Sequence, residues 1–192
     1  MAAIGFRVHT GWAACVVLDG APGHLEVLLR RRLELLPADG SVPRFVYHQA
    51  AETSPAEAVA LVKSARTSAN QCARLAVKEI LRSNAAIRAA GVAIGSVAVP
   101  QDLGGILASH PLIHSAEGAL YQQALTDACA RAGLAVTTVR EKRVWQDAAA
   151  ACGLDADSLE TQIAALRKHA GPPWGGDQRI AAAAALLAQL RA

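Results

Sequence analysis

The stretch "VAIGSVAVP" at 92–100 is an almost continuous apolar run. A strand whose side chains are apolar in both directions of the pleat has to be covered on both faces, which is the habit of a central strand in an α/β sheet. Helices are therefore needed on either side, and the rest of the chain supplies them. "SPAE" at 54–57 is a capping box, with Ser54 as N-cap, Pro55 in the first turn and Glu57 reaching back to it. Val59, Val62, Ala65, Ala69, Cys72, Ala76 and Ile80 hold one face of the helix that follows. Its end, with a break near Ser83–Asn84, falls at or before Gly91. A second helix covers about 115–132 and stops at Gly133. From Val144 onward the chain reads as helical, apart from a rigid loop, "GPPWGG", at 171–176, and the final helix starts about Asp177.

Before the first helix the pattern is β. Ile4, Phe6 and Val8 alternate, an apolar run extends from Trp12 to Leu18, and Thr10–Gly11 between them marks a turn or bulge. "DGAPG" at 19–23 is a hairpin signal. "HLEVLLRRRLELL" then reads as a second long strand and "RFVYHQ" as a short third one. "LAVTTVRE", rich in β-branched residues, is a fifth strand after the central one. The predicted order is three antiparallel strands, helix, strand, helix, strand, helices. Parallel strands added through right-handed helical crossovers satisfy the connection rules.

Composition bounds the rest. The chain has 192 residues, 53% hydrophobic, 18% charged and 4% aromatic, which is enough for one well-filled core built from Ala, Val, Leu and Ile. One domain over 1–192 is expected, of the kind found in Ala-rich bacterial α/β proteins. The net charge of +3 is compatible with a polyanionic partner, but its densest clusters, Arg30–Arg31–Arg32 and Arg140, Lys142 and Arg143, read as solvated sheet edges. Cys15, Cys72, Cys129 and Cys152 show no zinc or redox spacing and read as small core residues of a cytoplasmic protein. No segment approaches the roughly 20 apolar residues of a membrane span.

The element order resembles the ribonuclease H-like fold, in which a mixed five-stranded sheet carries helices on both faces. "GFRVHTGWAACVV" looks like the first-hairpin pattern of Holliday-junction resolvases within that superfamily, and "GGDQRIAAAAALL" looks like their ending, in which an Asp precedes a small-residue helix. The resemblance implies a metal-dependent nuclease acting on nucleic acid. Carboxylates at the end of the first strand, near the fourth strand and on the last helix would hold divalent ions that stabilise the attacking and leaving oxygens of a phosphodiester. Asp177 matches the last-helix position and Asp102 follows the fourth strand, but His9 stands where the family has Asp. That departure weakens a two-magnesium mechanism, because Mg²⁺ prefers oxygen donors while imidazole suits Zn, Fe, Ni or Mn, so the expected cofactor is a divalent ion, Mg²⁺, Mn²⁺ or Zn²⁺.

The remaining candidates sit in "SHPLIHSAE", where His110, His114 and Glu117 follow at i, i+4 and i+7. If Ser109 caps the helix, the two imidazoles and the carboxylate share one face as metal ligands or as an acid–base set. If the helix starts at Ser115, the histidines belong to a loop and Glu117 only favours the helix dipole. His9, His110, His114, Glu117 and Asp177 are thus the expected metal set, with Glu117, His114 and Asp177 moving protons. Trp174, between Pro173 and Gly175, is expected to contact substrate together with Asp102, whereas Trp12 reads as core. His48 reads as a strand end and Asp177 alternatively as a simple N-cap. A second function class uses the same fold without catalysis, holding nucleic acid or protein in the cleft while the Ala-rich helices form a homo-oligomer.

Overall fold

A computed structural model describes all residues from Met1 to Ala192. The sheet contains β1 (Ala2–His9), β2 (Trp12–Asp19), β3 (Glu26–Glu34), β4 (Ile87–Ile94) and β5 (Ala135–Arg140). Its spatial order is β3-β2-β1-β4-β5. The first three strands pair antiparallel, and β4 and β5 join them parallel to β1, so the sheet is mixed as expected.

The five strands are not the five that the sequence pattern suggests. Thr10–Gly11 is a full turn, with Gly11 at a φ of 83°, so the first long apolar stretch is a hairpin of two strands and not one bulged strand. "RFVYHQ" is not a strand: residues Val46–Ala51 form the short helix α1. Val46, Tyr47 and Ala50 are its buried residues, a helical i, i+1, i+4 spacing that the β-branched and aromatic composition concealed. The central strand also starts earlier than the apolar run, at Ile87, and 95–100 is a loop because Gly95, Ser96 and Pro100 interrupt the pleat.

The remaining helices are α2 (Pro55–Ser83), α3 (Leu103–Leu107), α4 (His110–Arg131), α5 (Val144–Cys152), α6 (Ala156–Ala165), α7 (Arg167–Ala170) and α8 (Gly176–Arg191). Helix α2 begins with the expected reciprocal cap between Ser54 and Glu57 and runs unbroken to Ser83. Its buried stripe is Ala58, Val62, Ala65, Ala69, Ala73, Val77 and Ile80, slightly rotated from the predicted one, which leaves Val59 exposed.

Period-two alternation decides which face each strand residue serves. Ala2, Ile4, Phe6 and Val8 of β1 pack into the core beneath α1, α2 and α4. The intervening positions, Ala3, Gly5, Arg7 and His9, face α8. Every residue of α8 from Ala181 to Ala188 is buried, because the sheet lies on one side of it and α5 and α6 on others. A Cβ at Gly5 would overlap the carbonyl oxygen of Ala181, and one at Gly91 that of Ala184. The helix backbone therefore rests directly on β1 and β4. No helix of the structure is long and apolar enough to cross a membrane.

This close approach makes a specific prediction. Gly91→Ala forces α8 off the sheet and lowers stability by about 1–3 kcal/mol or more, whereas Gly176→Ala, at a position with nothing within 4 Å of the new Cβ, leaves it nearly unchanged. Urea unfolding of the two variants checks both.

Candidate functional site

The polar groups expected to form one site are divided between the two faces of the sheet. On the α8 face, β1 delivers Arg7 and His9 at its C-terminal end, and the first turn of α8 delivers Asp177. His9 Nε2 lies 3.0 Å from Asp177 Oδ1, and Arg7 Nη1 lies 2.8 Å from His9 Nδ1 and 2.7 Å from its Nε2. A guanidinium can only donate, so toward Arg7 the His9 ring acts as an acceptor, and only an imidazole N–H can bond the Asp177 carboxylate. Arg7 Nη2 also donates to Glu141 at 2.8 Å, and its Nε lies 3.5 Å from Asp177. Glu141 opens the 3-10 turn that follows β5.

Arg7 thus stands between the two carboxylates of this centre, and both nitrogens of His9 are engaged. The carboxylate metal centre implied by the resemblance does not fit these residues, because the Arg7 guanidinium already stands between the acids. Trp12 is not core: it is half-exposed, stacked on His9 at 4.0 Å between ring centroids, with the Arg32 guanidinium 3.9 Å above its ring. Trp174 is the buried one, 8% exposed, and its indole N–H donates to the Ile163 carbonyl oxygen, so it is a core residue and not a ligand platform. Its neighbouring prolines and glycines only shape the loop that inserts it.

On the other face, Ser109 occupies the N-cap position and α4 starts at His110, although the Ser109 side chain makes no capping bond. His110 and His114 consequently lie one turn apart, with their Nε2 atoms 3.0 Å from each other. The third member is His48 of α1, whose ring is 4.7 Å from that of His114 and 5.7 Å from that of His110. One ring nitrogen from each of the three histidines lies within 4.8 Å of the others.

Glu117 does not join the exposed imidazoles directly. Three residues beyond His114 it turns inward, is 2% exposed, and lies behind His48. Its Oε1 accepts from the backbone N–H of Tyr47 at 2.8 Å, the backbone N–H of His48 at 3.2 Å and His48 Nδ1 at 3.1 Å. Those amides are orphan donors of the first turn of α1, so Glu117 caps that helix from α4 and places a negative charge at its positive end. The same carboxylate fixes the His48 ring with its Nδ1–H inward and leaves Nε2 free. Glu117 Oε2 and the Tyr121 hydroxyl, one turn further along α4, are buried without hydrogen-bond partners. Burial, with the Glu117 charge second, pushes the Tyr121 hydroxyl up to about 12.

His9 and Asp177 therefore do not converge with His110, His114 and Glu117; no hydrogen bond or salt bridge joins the two clusters. Asp102 joins neither, since its carboxylate caps α3 by accepting from Gly104 and Gly105 N–H. His48, Arg7 and Glu141 were missed by sequence reasoning. His48 was hidden by the β-like composition of α1, and Arg7 by its place within an alternating strand. The cysteines take no part: Cys15 and Cys129 are buried, and burial raises both thiols, that of Cys129 to about 12.

No family model and no curated protein matches this chain. Solved structures do. RuvC from Thermus thermophilus in complex with a Holliday junction substrate superposes with a TM-score of 0.57 at 15% identity, covering 99% of this chain and 93% of that one. A second Thermus thermophilus RuvC structure gives a TM-score of 0.57 at 13% identity, covering 99% and 94%. The fold is ribonuclease H-like. His9 ends β1, which runs parallel to β4, and α4 follows β4 after a loop and the short helix α3.

Removing the Glu117 carboxylate strands two buried N–H groups. Glu117→Ala is expected to destabilise the protein by about 1–3 kcal/mol in urea unfolding, and Glu117→Gln, which keeps an acceptor oxygen, by less.

Proposed function

We propose that this chain is a metal-dependent phosphodiester hydrolase acting on nucleic acid, with a divalent ion held by His48, His110 and His114. The observation that carries this reading is the convergence of three imidazoles from two helices, one of them oriented by a buried carboxylate. A histidine that ligates through one nitrogen and donates its other N–H to a carboxylate is the usual arrangement around zinc and related ions. Imidazole donors suit Zn²⁺ or Mn²⁺ better than Mg²⁺.

A divalent ion bound there would supply Lewis acidity and lower the pKa of a bound water toward neutrality. The chain's own contribution is orientation. Glu117 holds His48 with Nε2 outward, and the one-turn spacing of α4 aims the Nε2 atoms of His110 and His114 at one point. Glu117 is too deeply buried to meet a substrate, so its role is positioning and not direct proton transfer. His48, His110 and His114 would be the three protein ligands, a donor number usual for catalytic rather than closed structural sites. The shared fold with a Holliday-junction-binding protein supports nucleic acid as the substrate class.

A non-catalytic nucleic-acid or protein-binding module is favoured by a different observation, the Arg7 guanidinium standing between Asp177 and Glu141. The two readings part in a metal titration. The hydrolase reading expects Zn²⁺ or Mn²⁺ to raise the melting temperature, EDTA to reverse the rise, and His110→Ala/His114→Ala to abolish both the rise and metal-dependent cleavage of nucleic acid, since a ligand of the native state must stabilise it. A melting temperature indifferent to every divalent ion sinks the metal centre and leaves the binding module.

A further inference from the structure

A furrow of about 910 Å³ runs between α2 and α4, walled on one side by the loop after β4. A smaller cleft of about 240 Å³ continues it toward the C-terminal end of α4, sharing Thr67, Asn70 and Asp127. Lys63, Arg66 and Arg74 of α2 and Arg131 of α4 line the two. None of the four has a salt-bridge partner, and their side chains share one channel. The one acid of the furrow, Asp127, is hydrogen-bonded by Gln123. Four unpaired cations against one acid make this a positively charged channel, and the charge is not spent within the protein.

At its other end the furrow is lined by Tyr47 and Ala116, the chain neighbours of His48 and Glu117. Exposed Val59 and Val97 line that part and offer apolar contact, and Asn70, Gln122 and Gln123 offer hydrogen bonds along the length.

We propose that the α2–α4 furrow seats a single strand of nucleic acid, its phosphates against Lys63, Arg66, Arg74 and Arg131. Charge complementarity identifies the ligand as a polyanion. From Lys63 to Arg74 the cations span about three helical turns, about 16 Å, so they match an extended chain of phosphates and not a single anion. Neighbouring packed helices lie about 8–10 Å apart between axes, which is too narrow to admit a duplex into the furrow. Backbone recognition through lysine and arginine is independent of sequence. The furrow shares its nucleic-acid substrate class with the hydrolase reading, but the binding itself does not rest on the metal centre.

The test measures binding without cleavage. Fluorescence anisotropy of a labelled oligothymidylate is followed in EDTA, across a salt series, for the wild-type chain and for Lys63→Ala/Arg66→Ala/Arg74→Ala/Arg131→Ala. These residues are on helices that Ala maintains, and far-UV circular dichroism confirms that the variant is folded. The proposal expects the variant to bind on the order of 10-fold to 100-fold more weakly at low salt, with the slope of log K against log salt shallower by about 0.7 for each phosphate that is no longer neutralised. Equal affinity of variant and wild type overturns it, as does tighter binding of the wild type to a duplex than to the single strand, or equal competition by polyglutamate, which would make an acidic peptide the occupant. Because the assay contains no metal, loss of the metal centre in His110→Ala/His114→Ala leaves this result standing, and failure here leaves the metal titration standing.

Discussion

The packing of the α8 backbone on the middle of the sheet is the constraint on which the rest of the molecule depends. Gly5 and Gly91 lie opposite each other in the β1–β4 register, and each leaves room for a carbonyl of α8 where a side chain would collide. The helix answers with alanines, the residue type that lets its backbone approach. Such an approach buries the helix on every side and fixes its axial position, and with it the place of Asp177 at the end of β1. The ion network of Arg7, His9, Glu141 and Asp177 is a consequence of that placement. It ties the end of β1 to the turn after β5 and to the start of α8.

The opposite face is organised by a different interaction. Helix α1 is short and cannot hold its own first turn: Phe45 supplies no capping side chain. The Glu117 carboxylate on α4 does so instead, and in the same act turns His48 toward His110 and His114. One buried charge thus serves as helix cap and ring clamp. Its cost is offset by three hydrogen bonds to one oxygen, while the other oxygen stays unpartnered, as does the neighbouring Tyr121 hydroxyl. The chemistry of this face is accordingly imidazole chemistry. On the α8 face a guanidinium stands between carboxylates, so the two sides of the sheet have taken different electrostatic roles.

Much of the fold was legible in the sequence for physical reasons that act locally. The Ser54–Glu57 cap, the glycine ending α4 and the β-branched run of β5 each express a backbone preference that its own neighbours satisfy. Misreadings came where composition and environment disagree. Val46 and Tyr47 are β-formers held in a helix by a cap from seventy residues away in sequence. The count of five strands survived only because splitting the first stretch into β1 and β2 compensated for the loss of "RFVYHQ". The two tryptophans exchanged roles, since a loop tryptophan becomes core when its indole finds a carbonyl, and a strand tryptophan becomes surface when its ring ends a sheet.

By itself the sequence determined the order and type of the long elements, the mixed sheet with helices on both faces, and the one-turn spacing of His110 and His114, because hydrophobic period and capping are properties of contiguous residues. Only the tertiary structure decided which polar residues share a site. Alternation along β1 put His9 on the α8 face, the crossover helix α4 carried its histidines to the other, and His48 arrived from a segment that no local pattern connects to them. Side chains from distant segments meet through packing, and packing is decided by the whole chain.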